Sequence, residues 1–237
     1  MPATIVLVHG AFAESASWDP VIDRLLAAGH PVVAAANPLR GLAADAASVS
    51  DLVRTVDGPV VLVGHSYGGA VITNVAADAG RIAALVYIAA FAPDGGESAN
   101  MLAGRFPGST LADAVRPVPR DDGTTDLLIA TERFHDQFAA DVPADLAARM
   151  AVTQRPVTLQ ALEEPCGERP LWREVPSWFL VAGADRNIPP ALQRFMAERA
   201  GARGTVEIPE ASHAAAVSRP DASADLILEA ATLPVVA

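Results

Sequence analysis

The chain has 237 residues, 51% of them hydrophobic, and carries a formal net charge of −11 at pH 7. This length suits one globular domain with a sizeable core and room for an inserted subdomain. The acidic balance argues against nucleic acid as a partner, because nucleic acid requires a basic face. All 17 basic residues are arginine, and the lack of lysine excludes Schiff-base chemistry, pyridoxal phosphate attachment and a Walker lysine.

The first residues and the cysteine usage bear on the cellular compartment. The single cysteine, Cys166, excludes an internal disulfide framework and fits a reducing compartment. The N-terminus lacks a basic segment, and its apolar run Thr4–Val8 is too short for a signal peptide. The longest apolar stretch, from Ala83 to Pro93, is about half a membrane span. We therefore predict a soluble, cytoplasmic protein that does not associate with membranes.

Short apolar runs alternate with stretches of helical spacing, a pattern typical of a parallel sheet covered by helices. The near-continuous hydrophobicity of the runs indicates strands that are buried on both faces. The predicted strands are Thr4–Val8, Val32–Ala36, Val60–Val63, Leu85–Ile88, Trp178–Ala182 and Thr205–Ile208. The predicted helices are Pro20–Ala28, Asp45–Val56, Ala70–Ala79, Pro190–Ala200 and Asp221–Ala230.

The alternation stops between the fourth and fifth predicted strands. Residues 94–170 contain many prolines and short amphipathic pieces, and this length is unusual for a loop in a compact domain. A cap over the strand ends, where open α/β sheets bind ligands, is favoured over a flexible excursion without function. We predict an α/β fold: a doubly wound, mainly parallel six-stranded sheet with a helical cap inserted after the fourth strand. The predicted core comprises residues 1–93 and 171–237, and the cap residues 94–170.

A candidate nucleophile lies between the third strand and the following helix, in the motif Gly64-His65-Ser66-Tyr67-Gly68. A serine with glycines two residues away on both sides is typical of a sharp strand–turn–helix connection. There, a side chain at either glycine would collide with neighbouring backbone. Such a turn lifts the serine hydroxyl above the end of the sheet. The spacing alone occurs by chance, so the function of Ser66 depends on its partners.

A serine nucleophile needs a base and a third group that orients this base. Among the five histidines, His213 is the best candidate base, because it follows the last strand and such loops converge above the sheet. The ring of His65 is expected to point away from Ser66, and His30 is expected at the surface. His135 in the predicted cap is a candidate pocket residue, with a solvated helix face as its alternative.

Two aspartates follow strands and are candidates for the orienting acid. Asp185 follows the fifth strand, with a helix N-cap or an ion pair with Arg186 as its structural alternative. Asp94 follows the fourth strand and is the rival, because triad geometry recurs with different acid positions. We favour Asp185, which gives the order Ser, Asp, His along the chain.

An oxyanion hole requires two backbone N–H groups that point at the carbonyl oxygen of the substrate. One is expected from Tyr67, the residue after the candidate nucleophile, at the positive end of a helix. The other is expected from the loop after the first strand, where Ala11 is the predicted donor. Phe12 and His135 are the predicted substrate contacts.

Together these residues resemble the α/β-hydrolase superfamily, and most closely its small esterase branch of plant methylesterases, pyrethroid-hydrolysing carboxylesterases and hydroxynitrile lyases. The matching motifs are His9-Gly10-Ala11-Phe12, Gly64-His65-Ser66-Tyr67-Gly68-Gly69, Asp185-Arg186-Asn187-Ile188-Pro189 and Ser212-His213, with Trp18 and Gln193 at positions where packing is expected. The resemblance extends from Thr4 to about Ile227. It implies a Ser66–Asp185–His213 triad with Ala11 and Tyr67 as the oxyanion hole. Because the sequence opens on the strand that leads to His9, we expect no counterpart of the family's first two strands in it.

The resemblance implies a serine esterase that cleaves a carboxylic ester of a small apolar substrate through an acyl-enzyme, without a metal or organic cofactor. Hydroxynitrile lyases of this branch carry a lysine directly after the catalytic histidine, and this chain has Ala214 there, which argues against that activity. Haloalkane dehalogenases use an aspartate nucleophile, so Ser66 excludes that class. Thioesters, lactones, amides and perhydrolysis remain open, as do a ligand receptor on the same fold and a homodimer. Cap residues that would line an acyl pocket or pack as a core are Met101, Leu102, Phe106, Phe134, Phe138 and Met150.

Overall fold

The computed structural model describes residues 1–232, in which strands and helices alternate as predicted. The strands are β1 (Thr4–Val8), β2 (Val32–Ala35), β3 (Pro59–His65), β4 (Arg81–Ile88), β5 (Val115–Pro119), β6 (Thr125–Ile129), β7 (Val157–Thr158), β8 (Ser177–Ala182) and β9 (Gly204–Ile208). The helices are α1 (Asp19–Ala27), α2 (Leu42–Arg54), α3 (Tyr67–Thr73), α4 (Ala99–Ala103), α5 (Thr131–Phe138), α6 (Ala144–Thr153), α7 (Leu159–Glu163), α8 (Pro190–Arg199), α9 (Ala215–Ser218) and α10 (Pro220–Ala231). Short 3-10 turns lie at Ser15–Trp18, Leu111–Asp113 and Leu171–Arg173.

Six strands form one sheet in the order β2-β1-β3-β4-β8-β9. All neighbouring pairs are parallel, and every residue of β1, β3 and β8 is buried. This burial on both faces explains the near-continuous apolar runs in the sequence. The predicted doubly wound, parallel six-stranded sheet is therefore confirmed, with β2 and β9 as its edges.

Alternate strand residues face two separate hydrophobic layers. Ile5 and Leu7 of β1 pack in one layer with α1 and α10. Val6 and Val8 pack in the other layer with α2, α3, α8 and residues of the inserted segment. Because all six strands run in the same direction, their carboxyl ends lie at one edge of the sheet, beneath the insertion.

The inserted residues 94–170 are not purely helical, and the prediction of a helical cap was wrong in this respect. Besides helices α4 to α7, the segment contains an antiparallel sheet with the order β5-β6-β7. Strand β5 reads Val-Arg-Pro-Val-Pro and is mostly exposed, so it lacks the apolar alternation by which a strand is recognised. The boundaries at 94 and 170 stay a prediction, and the predicted core segment 171–237 extends beyond the described residues.

Within residues 1–232, each helix is too short or too polar to cross a bilayer.

Candidate active site

Ser66 is the single residue that connects β3 to α3, since the strand ends one residue before it and the helix begins one residue after it. Its backbone has φ 55° and ψ −124°, a strained conformation for a residue with a side chain. A Cβ on Gly68 would lie 2.3 Å from the Val8 carbonyl oxygen, and one on Gly64 would lie 2.6 Å from the Gly68 carbonyl oxygen. These distances confirm that only glycine fits on either side of this turn.

His213 and Asp185 form a buried pair at the ends of neighbouring strands. The Nδ1–H of His213 donates to Asp185 Oδ2 at 2.7 Å, and the two side chains are 1% and 0% exposed. This bond places the donor proton on Nδ1 and leaves the lone pair of His213 on Nε2. His213 and Ser66 line the same cavity, so the structure brings the predicted nucleophile and base together.

The Asp185 carboxylate is fixed by further donors besides His213. Its Oδ1 accepts from the backbone N–H groups of Asn187 and Ile188 at 2.7 and 3.0 Å. Its Oδ2 also accepts from Gln193 Nε2 at 2.8 Å, while Gln193 Oε1 accepts from the Ala182 N–H at 3.0 Å. Gln193 therefore holds the Asp185 carboxylate in position. The sequence predicted only a packing role for this residue.

Asp94, the rival acid, lies elsewhere. Its two carboxylate oxygens accept from Arg173 Nη2 at 2.7 and 2.8 Å, and its side chain is 26% exposed. Burial raises the pKa of Asp94, but the hydrogen bonds from Arg173 and the Gly95 N–H outweigh it, and the net shift is downward. The acid that the structure brings to His213 is Asp185.

The loop after β1 reaches the Ser66 turn at close range. A Cβ on Gly10 would lie 2.6 Å from Ser66 Cβ, and Ala11 and Phe12 both line the cavity at Ser66. Tyr67 lines it too, and as the first residue of α3 its N–H has no acceptor inside the helix. The two predicted oxyanion donors thus border the same cavity as Ser66, the predicted nucleophile.

The Tyr67 side chain anchors this helix start. Its hydroxyl donates to Asp45 Oδ2 at 2.8 Å, and Asp45 Oδ1 accepts from the Arg40 N–H at 3.0 Å. Burial raises the pKa values of both Asp45 and Tyr67, which keeps the phenol protonated. The phenol thus remains a donor in a buried hydrogen bond that holds α3 against α2.

The cap is hydrogen-bonded to both loops that carry the predicted acid, Asp185, and the predicted base, His213. Gln137 Nε2 donates to Asn187 Oδ1 at 2.8 Å and to the Arg186 carbonyl at 2.9 Å. On the other loop, the Ala214 N–H donates to the Phe138 carbonyl at 3.0 Å. These bonds fix the position of α5 relative to the Asp185 and His213 loops.

His65 is not among the residues that line the cavity at Ser66, and its ring supports His213, a contact that sequence reasoning missed. Its Nε2–H donates to the His213 carbonyl at 2.8 Å, and the two ring centroids are 4.8 Å apart. Burial lowers the pKa of His65 to about 3, so the ring stays neutral at physiological pH. The two residues are 148 positions apart, and no local sequence signal indicates their contact.

The lowered pKa of His65 predicts a pH-dependent stability. Below pH 6.5 the unfolded state binds a proton at this ring and the folded state does not, so stability falls as the pH drops towards about 3. When the pH is lowered from 7 to 5, we expect the free energy of unfolding of His65→Gln to fall by about 2 kcal/mol less than that of the parent chain. Urea unfolding at both pH values measures this, and an equal loss in both proteins would contradict it.

Of the two predicted substrate contacts, Phe12 lines the cavity and His135 does not. His135 Nε2–H instead donates to the Val142 carbonyl at 2.9 Å, inside the cap. Helix α5 turns Phe134 and Phe138 inwards, where they are 0% and 1% exposed, and this orientation directs His135 towards the loop. The prediction of His135 as a substrate contact was therefore wrong.

The cavity itself is small and uncharged. It holds about 50 Å³. Its described lining residues are Ala11, Phe12, Ser66, Tyr67, Phe91, Ala99, Asn100, Leu111, Leu162, Asn187, Ile188 and His213. Neither arginine nor a carboxylate is among them, so the lining suits a neutral group. Across residues 1–232, no set of three or more His, Cys, Asp or Glu side chains is grouped to hold a metal ion.

The sequence of this chain is similar to those of known proteins. Residues 5–226 match the sequence model of the Alpha/beta hydrolase family. The chain is 30% identical to a pyrethroid hydrolase of Sphingobium wenxiniae, over 97% of this chain and 88% of the relative. It is 28% identical to methylesterase 7 of Arabidopsis thaliana and 28% identical to salicylic acid-binding protein 2 of Nicotiana tabacum. These alignments cover 95% of this chain in both cases, and 95% and 96% of the two relatives.

Solved structures show the same fold over nearly the whole chain. A pyrethroid hydrolase from Sphingobium faniae JZ-2 superposes with a TM-score of 0.79 at 25% identity, over 98% of both chains. Polyneuridine aldehyde esterase superposes with a TM-score of 0.81 at 20% identity, over 97% of this chain and 99% of that one.

Proposed function

Because this chain belongs to the alpha/beta hydrolase family, we propose that it hydrolyses carboxylic esters of small apolar substrates through an acyl-enzyme on Ser66. The family and esterase resemblance predicted from the motifs is confirmed by the family match and by the pyrethroid hydrolase and methylesterase relatives. The observation that carries the proposal is the buried His213–Asp185 pair at the cavity that contains the strained Ser66 turn.

In the proposed mechanism, Ser66 Oγ attacks the ester carbonyl while His213 Nε2 takes its proton. Asp185 holds the imidazole through Nδ1–H and stabilises the imidazolium that forms. His213 then returns the proton to the leaving alcohol, and water repeats the sequence on the acyl-enzyme.

The negative charge of each tetrahedral intermediate would fall on the carbonyl oxygen, between the N–H groups of Ala11 and Tyr67. One such donor contributes about 3–4 kcal/mol to transition-state stabilisation. The approach of Gly10 to Ser66, where a Cβ would lie 3.2 Å from Ser66 Oγ, supports the placing of the Ala11 loop beside the nucleophile.

A ligand-binding role is the second candidate, because one relative is named a salicylic acid-binding protein. A salicylate-type ligand carries a carboxylate, and the described lining of the Ser66 cavity offers no arginine to pair with it. This lining favours a neutral ester over a charged ligand. Thioesters, lactones, amides and perhydrolysis share the acyl-enzyme and remain variants of the first proposal.

Hydrolysis of short p-nitrophenyl esters tests the proposal. We expect saturable turnover of p-nitrophenyl acetate by the purified protein, well above the rate in buffer, because an acetyl group fits a cavity of about 50 Å³. Tight, saturable binding of salicylate with no turnover of any ester in a panel would support the ligand-binding role instead.

A further inference from the structure

We propose that a second, apolar cavity beside Phe12 binds the larger apolar group of an ester substrate whose carbonyl lies at Ser66. This inference rests on the proposed function and assigns a substrate class to it: neutral esters with one bulky alkyl or aryl group. The second cavity holds about 260 Å³, against about 50 Å³ for the cavity at Ser66.

The two volumes decide which group each cavity can hold. A dry cavity of about 150 Å³ in a protein core binds benzene. The second cavity exceeds that size and the cavity at Ser66 is well below it. The reacting carbonyl and a small group therefore fit at Ser66, while a ring or a long chain requires the second space.

Phe12 is the shared wall, because its side chain lines both cavities. It is 3% exposed, and its backbone has φ 59°, a left-handed conformation that is unfavourable for a bulky residue. Only the surrounding structure holds a phenylalanine in such a conformation. Rotation of this one side chain would join the two spaces directly next to Ala11, the predicted oxyanion donor.

The other walls of the second cavity come from three parts of the fold. Pro20 of α1 contributes from the core, Leu146 and Met150 of α6 from the cap, and Val217 of α9 from the helix that follows His213. The cavity thus lies between cap and core, as the cavity at Ser66 does.

Most polar residues at the second cavity have partners or face outwards: Ser17 Oγ donates to the Glu14 carbonyl oxygen, and Asp19 and Thr153 are exposed, whereas Glu14 lies half-buried at this cavity. Gln154 donates to the carbonyls of Ile129 and Ala151 and accepts from the Ile129 N–H, at 2.8 to 2.9 Å. Arg149 is largely exposed and lies 3.7 Å from the Asp145 carboxylate on the same helix. The surface that remains for a ligand is mainly apolar, which favours a neutral alkyl or aryl group over a charged one.

Substitutions on α6 test this assignment with a matched pair. Met150→Trp fills the second cavity, whereas Val152→Trp adds the same bulk on the solvent side of α6, where Val152 is 73% exposed. The readout is the ratio of kcat/KM for a bulky ester to that for a small one. The acyl arm compares p-nitrophenyl octanoate with p-nitrophenyl acetate, and the alcohol arm compares 2-naphthyl acetate with phenyl acetate.

We expect Met150→Trp to lower this ratio about tenfold in one of the two arms, and that arm identifies the half of the ester that occupies the second cavity. Phe12→Ala, which removes the shared wall, should raise the ratio in the same arm by about tenfold. Val152→Trp should keep the parent ratio. Unchanged ratios for Met150→Trp and Phe12→Ala in both arms would overturn the inference.

Failure of the proposed function gives a different result. If the parent chain hydrolyses none of these esters, the proposed function fails, and fluorescence titration with 2-naphthol still tests the second cavity. Saturable binding that Met150→Trp weakens and Val152→Trp does not would support the cavity as a site for apolar groups. Equal binding by both variants would overturn it. Circular dichroism of each variant confirms that it is folded.

Discussion

Ser66→Ala is expected to abolish ester hydrolysis, with a loss in kcat on the order of 10⁶. The substitution removes the atom on which we propose that the acyl-enzyme forms, and the cavity, the His213–Asp185 pair and the two proposed oxyanion donors remain. Initial rates with p-nitrophenyl acetate measure the loss. Because alanine needs no more space than serine, the thermal unfolding midpoint should stay close to that of the parent chain.

Ser223→Ala is the matched control for this prediction. Ser223 lies on α10 and is 0% exposed, and its hydroxyl has no hydrogen-bond partner among the described residues. Loss of a buried serine hydroxyl at this position should leave turnover unchanged. Turnover by Ser66→Ala at the parent rate would show that another group is the nucleophile.

Asp185→Asn is expected to lower kcat by about 10⁴. The carboxylate accepts the Nδ1–H of His213, and an amide NH2 group in its place would favour the opposite tautomer, with the proton on Nε2. His213 would then have no lone pair directed at the cavity. Steady-state kinetics with p-nitrophenyl acetate measure the effect, and KM should change far less than kcat.

Asp94→Asn provides the comparison, because Asp94 was the rival acid. Its carboxylate binds Arg173 near the surface, so the substitution should leave kcat near the parent value. A larger loss from Asp94→Asn than from Asp185→Asn would reverse the assignment of the acid.

The sheet could be predicted because strands that are buried on both faces have near-continuous apolar sequences. Strand β1 was predicted with its observed bounds, Thr4–Val8, and all its residues are buried. Helix α3 was predicted at Ala70–Ala79 but spans Tyr67–Thr73. Helix α3 begins directly after Ser66, without a loop, and its first turn contains Gly68 and Gly69. Because glycine is a poor helix former, the sequence pattern did not indicate a helix at these residues.

The candidate triad could be predicted because each member lies in the connection that follows a strand, and the strand ends converge in a parallel sheet. The supporting contacts could not. His65 meets His213, and Gln193 meets Asp185, only through tertiary packing. His135 was misplaced because its position on α5 depends on which face of that helix is buried. The cytoplasmic location and the homodimer stay predictions.

Covalent labelling tests most directly whether Ser66 is an acyl-carrying nucleophile. A fluorophosphonate reacts with an activated serine by loss of fluoride, and mass spectrometry of the digested protein locates the modified residue. We expect one adduct per chain, on the peptide that contains Ser66, with loss of p-nitrophenyl acetate hydrolysis in proportion to the labelled fraction. Full inactivation with Ser66 unmodified, or full activity with Ser66 labelled, would contradict an acyl-enzyme at this residue.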